Sequence, residues 1–143
     1  MESSPNAFLI AAATLNALAA ALHVACIVFG AAWYRFFGAG ERMARLVEQG
    51  SREPAIVTSI IAAVLATWSL YALSGAGLIP RLPLVKAALC IITAIYLLRG
   101  AVVFPMAVMY PGRITAFWWW SSGICLAIGI VHAIGLEQVW SML

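Results

Sequence analysis

FLIAAATLNALAAALHVACIVFGAAWY, residues 8–34, decides the fold. No charged side chain occurs between Glu2 and Arg35, and roughly 20 apolar residues already cross the hydrocarbon core of a bilayer. Thr14, Asn16 and His23 are the polar interruptions, and the run closes on Trp33-Tyr34-Arg35. Aromatic and basic residues of that kind anchor helix ends at the membrane–water interface. The stretch therefore predicts a first transmembrane helix over about residues 7–35.

Composition extends this reading to the whole chain. Of 143 residues, 65% are hydrophobic and 9% are charged, against about a quarter charged in a soluble domain whose surface must be hydrated. Further apolar runs predict spans over about 54–74, 82–104 and 114–137. The expected fold is all-α: a four-helix transmembrane bundle forming one polytopic membrane domain. At this length no room remains for a soluble catalytic domain.

Between the spans, residues 36–53 form the one strongly polar stretch. Met43, Leu46 and Val47 share a helical face there and Glu41 pairs with Arg45 at i,i+4, which predicts a short amphipathic helix on the membrane surface. The turn at 74–83 is short, so the second and third spans should be antiparallel neighbours. PMAVMYPG, residues 105–112, is apolar but broken by prolines, and is expected to lie in the interface or dip back rather than cross. The fourth span opens on Arg113 and an aromatic cluster, Phe117-Trp118-Trp119-Trp120. Trp118, Trp119 and Trp120, with Trp33 and Tyr34, are the expected interface anchors.

The net charge of +3 is not a nucleic-acid footprint, because the bases are dispersed at hydrophobic boundaries. The first and third loops with their flanks hold Arg35, Arg42, Arg45, Arg52, Arg99 and Arg113, and the second holds Arg81 and Lys86. Retention of positive charge inside then puts both termini on the non-cytoplasmic side of a cell inner (plasma) membrane. MESSPNAF has neither a basic n-region nor a small-residue cleavage site, so no removable signal peptide is expected. Cys26, Cys90 and Cys125 lie singly in three apolar runs and do not suggest a disulfide framework.

Ionisable groups at membrane depth are functional candidates because inserting them uncompensated is costly. Asn16, His23, Ser122 and His132 form the candidate intramembrane polar site. Lys86 and Arg99 stand 13 positions apart on the third span, about 220° around the helix, so both cannot line one narrow cavity. Their long stems suit snorkelling to headgroup level. Arg99, with Arg113, is the candidate contact for an anion or a lipid headgroup.

Two histidines invite a haem reading. Counting at 1.5 Å per residue, however, His23 and His132 differ by about 12 Å in depth, too far for one iron. His132 falls instead near the level of Asn16, which favours a packing hydrogen bond between them. His23, Cys90 and Cys125 are a weak soft-metal set without paired spacing. No metal and no cofactor are expected.

The chain contains no Asp, and no Glu in the core of a span. Small multidrug transporters have this four-helix size but depend on an acidic residue in the first helix, where this chain offers Asn16 and His23. Quinone-linked thiol oxidoreductases need a C-x-x-C that is absent here. What fits best is a non-enzymatic accessory or interaction subunit, pairing with itself or a larger membrane complex within the bilayer. An oligomeric transporter or channel subunit is the first alternative. A membrane redox or lipid-handling protein using His23, His132 or Arg99 is the second.

Overall fold

The structure, a computed structural model, describes residues 4–38 and 40–143. Its elements are α1 (Ala7–Phe29), α2 (Ala31–Phe36), α3 (Glu41–Glu48), α4 (Glu53–Gly75), α5 (Val85–Ala101), α6 (Val103–Met109) and α7 (Ala116–Val139). No strand occurs among the described residues. Four helices are long and apolar enough to cross a membrane: Ala7–Phe29, Glu53–Gly75, Val85–Met109 and Ala116–Val139. By contacts the chain divides into two compact units, residues 16–67 and residues 1–15 with 68–143.

In the unit of residues 16–67, Gly30 ends the first span earlier than its apolar run suggests. Its φ of 72° is a left-handed conformation open to glycine, and a Cβ there would meet Val47 Cγ1 at 3.7 Å. The chain turns at this point and α2 starts afresh. The turn carries Tyr34 inward: it is 3% exposed, and its hydroxyl hydrogen-bonds the Thr58 hydroxyl at 2.9 Å and donates to the Pro54 carbonyl at 3.2 Å. Tyr34 is thus no interface anchor but a core residue, grouped with Cys26 and the fully buried Ala44. Trp33 stays half-buried, stacked on Phe29 with ring centres 4.5 Å apart.

The polar stretch is helical over α3. Met43 and Val47 pack against the Tyr34 cluster, so the apolar face expected to lie on the membrane surface covers the protein's own α2. Arg35 holds α3 at both ends. Its Nε and Nη2 each meet a Glu41 carboxylate oxygen at 3.0 Å, and its Nη1 meets Glu48 at 2.8 Å. The expected Glu41–Arg45 pair is present at 3.4 Å, and Arg42 reaches Glu53 on α4 at 3.5 Å.

Hydrogen bonding from the Arg35 guanidinium lowers the Glu41 carboxyl to about 2 and also lowers that of Glu48. An unfolded Glu titrates near 4.3, so whatever these pairs contribute is fully present above about pH 5 and fades as pH falls from about 4 to about 2. Hydrogen exchange of the α3 amides should accelerate over that interval, relative to α4, and also in high salt, because the groups are exposed. A flat profile in both would mean the staple does not hold α3.

In the other unit, Asn6 caps α1: its side-chain oxygen accepts the Leu9 amide at 2.9 Å, and its Nδ2 donates to Gln138 at 2.8 Å. The core beneath is Leu9, Ala12, Ala13, Ala72, Ala76, Val85, Leu89, Leu136 and Val139. Ser69, a buried polar residue of α4, is satisfied across helices by donating to the Ala13 carbonyl at 2.8 Å. Ser74 ties the following turn by accepting the Leu82 amide at 2.8 Å and donating to the Pro80 carbonyl at 3.2 Å. With that turn fixed, α5 begins at Val85 rather than Leu82, after Leu84 at φ 54°.

The proline-broken stretch also differs from expectation. Pro105 has no N–H to offer the Ala101 carbonyl, and the helix is interrupted at Val102 alone, whose own backbone is helical (φ −60°, ψ −24°). Residues 103–109 therefore carry the third span on as α6, and Phe104 sets its ring edge-on to Trp119 at 5.9 Å.

Candidate functional site: the seam between α5 and α7

The helices α5 and α7 run antiparallel in close contact. The buried face of α5 is Val85, Leu89, Ile92, Thr93, Tyr96 and Gly100, the i, i+3/i+4, i+7 set of one helical face. On α7 the buried residues are Ser122, Ile128, Gly129, His132, Gly135, Leu136 and Val139, of which Gly135 faces Leu9 of α1. Glycines set the spacing. A Cβ on Gly100 would come within 2.7 Å of the Leu126 backbone nitrogen, and one on Gly129 within 3.1 Å of the Leu97 nitrogen. Small residues let helix backbones approach this closely in membranes. These two contacts fix the register: residue numbers that face each other sum to 226, as in 100 with 126 and 97 with 129.

Arg99 departs from that register. The residue level with it on α7 is Ala127, yet its Nη1 donates to Ser122 Oγ at 3.1 Å and its Nη2 to Ser121 Oγ at 3.2 Å. Those serines lie five and six residues nearer the start of α7, about 8 Å along its axis. The side chain is thus stretched along the helix toward the tryptophan cluster, the direction expected of snorkelling. Its guanidinium carbon sits 5.1 Å from the Trp118 ring centre, a cation–π geometry. Trp118 is half-buried beneath it, while Trp119 and Trp120 are exposed. Arg113 is exposed three residues before α7.

At the far end of the seam, Lys86 does the equivalent work for α7's last turn. Its Nζ donates to the Trp140 carbonyl at 2.9 Å and lies 3.9 Å from the Trp140 ring centre, and Arg81 donates to the Met142 carbonyl. Cations are favourable at a helix C-terminus, where carbonyls lack helical partners.

Between the ends, His132 is fully buried and stacked on Tyr96 at 5.7 Å, and Tyr96 meets Trp68 edge-on at 5.2 Å. Ser122 is ten residues from His132, about 15 Å along α7. Asn16 is fully buried. His23 is half-buried, and its Nδ1–H donates to the Ala19 carbonyl one turn earlier at 2.7 Å. Cys90 and Cys125 are partly buried thiols. Among the described residues no three His, Cys, Asp or Glu side chains converge as a metal site would require.

Sequence reasoning passed over Tyr96 and Trp68. Tyr96 was reachable, since it falls on the stripe of Leu89, Thr93 and Gly100; Trp68 carries no such signal along the chain. An all-α chain with four membrane-length apolar helices is a multi-pass membrane protein. No protein-family model, no curated protein and no solved structure matches it.

Proposed function

We propose that this protein is a non-enzymatic interaction subunit that associates within the bilayer through its outward helix faces, with a second copy of itself or with a larger membrane partner. The observation that carries the reading is on α4. Its inward face is Thr58, Ala62, Leu65, Ser69 and Ala72, all buried, while Ser59, Ala63 and Thr67 form an exposed stripe on the other side. Small residues facing outward give lipid chains little to pack on, but let another helix approach closely. The Thr67 hydroxyl is satisfied locally by the Ala63 carbonyl at 2.9 Å, so the stripe tolerates an apolar neighbour. Low burial is consistent with this: only 22% of the most apolar stretch of α1 and of α4 is buried, against 33% for the third and fourth spans.

Single cysteines at Ser59, Ala63 and Thr67, in a background lacking Cys26, Cys90 and Cys125, should cross-link in native membranes. Ile61 and Val64 are exposed on a different face of α4 and should cross-link far less. Equal or absent cross-linking at both sets, to itself and to any other membrane protein, would sink the reading. The arrangement we propose has the loops around α3 and after α6 in the cytoplasm and both termini outside, on the distribution of bases. Impermeant thiol labelling of Met43→Cys and Tyr110→Cys from outside intact cells should therefore fail.

A further inference from the structure

We propose that the Arg99 fork with Ser121 and Ser122 is a binding site for a phosphate-type oxyanion, met in the membrane by the phosphodiester of an anionic lipid. The inference goes beyond the interaction reading and does not depend on it. Its first support is an unbalanced charge. The ion pairs among the described residues belong to Arg35, Arg42 and Arg45, and Arg99 takes no part in them. Two of its five N–H donors go to serine hydroxyls, which orient the fork without neutralising it.

The second support is position. Arg99 lies ten residues from the end of the span Val85–Met109, about 15 Å along the axis. Its fork climbs about 8 Å from its own level toward the start of α7. It stops beside Trp118, in the aromatic cluster whose place is the headgroup boundary. There the fork is held by the hydroxyls of Ser121 and of Ser122, which is 1% exposed.

The third support is that the start of α7 and its flank carry the same sign. The N-terminus of the 24-residue α7 has Thr115 at its cap position with no side-chain cap hydrogen bond, leaving amide dipoles positive toward this end. Arg113 stands exposed just before it. Among the described residues of this unit the one side-chain carboxylate is Glu137, 15 residues along α7 from Ser122, about 22 Å away. A planar guanidinium with hydroxyl neighbours suits two oxygens of a phosphate held side by side.

The test is lipid retention by the full chain, purified in mild detergent from vesicles of phosphatidylcholine with one-fifth phosphatidylglycerol and weighed by native mass spectrometry. The wild type should keep phosphatidylglycerol over phosphatidylcholine, with retention at least about tenfold lower in Arg99→Gln and several-fold lower in Ser121→Ala/Ser122→Ala. Arg99→Lys, which keeps the charge but loses the fork, should fall between them and guards against a misfolded Arg99→Gln. Arg81→Gln, at the opposite end of α7, should retain lipid like the wild type. A parallel arm adds inorganic phosphate to lipid-stripped protein and follows tryptophan fluorescence. A response that disappears in Arg99→Gln, without selective lipid retention, keeps the oxyanion site but makes free phosphate its source. If Arg99→Lys and the serine variant, both folded, match the wild type in both arms, the proposal is wrong.

Discussion

Gly100→Ala should destabilise the protein by about 2 kcal/mol, and Gly100→Val by more than about 3 kcal/mol, when unfolding is followed in detergent micelles. In an exposed helix the same change would help, since Ala is favoured over Gly by about 1 kcal/mol. Here the added methyl would sit 2.5 Å from Leu126 Cγ and 2.7 Å from the Leu126 backbone nitrogen. A side chain can rotate away, but a backbone nitrogen moves only if α7 moves as a whole. Gly123→Ala is the matched control: a Cβ there meets nothing within 4 Å, so it should be neutral or slightly stabilising. Gly129→Ala should behave between the two, because its closest contacts, 2.8 and 3.0 Å, are to the Leu97 side chain. Leu97→Ala should then relieve part of its loss, a coupling that a double-mutant cycle measures. Equal stability of Gly100→Ala and Gly123→Ala would show that α5 and α7 do not meet along this seam.

Tyr34→Ala should lose about 3–5 kcal/mol, the usual cost of emptying a buried aromatic site. Tyr34→Phe should lose about 1 kcal/mol, since the ring stays and only the hydroxyl's bonds to Thr58 and Pro54 go. The loss should be local first, because Tyr34 joins α2 and α3 to the start of α4. Protease cleavage within residues 36–53 should therefore rise in Tyr34→Ala before the spans unfold. Were Tyr34 an interface anchor instead, Tyr34→Trp would be harmless and Tyr34→Ala would cost little.

These two residues show how far linear reasoning reaches. Tyr34 closes an apolar run beside an arginine, the pattern of an interfacial aromatic, and nothing along the chain distinguishes it from Trp33. What separates them is the turn at Gly30, which sends one ring inward and leaves the other half-buried. Arg99 is similar. Its reach toward a headgroup follows from a long stem inside an apolar segment. That it is caught by Ser121 and Ser122 depends on a neighbouring helix offset by five or six residues. On α4, Ser59, Ala63 and Thr67 stand four residues apart along the chain, and so do Ala62 and Ala66. Only packing separated them: Ala62 is buried, while the first stripe and Ala66 face out.

The sequence by itself determined the number and rough extent of the spans. Lipid offers backbone groups no hydrogen bonds, so a long apolar run with few charges has helix as its one spanning solution. The same absence of competing water leaves apolar periodicity uninformative within a span, since a lipid-facing leucine and a buried one carry the same label. Which faces meet, where a run bends and which cation finds hydroxyls were decided only in three dimensions. Close glycine contacts, a left-handed turn and interhelical register made those choices, and they depend on residues far apart along the chain.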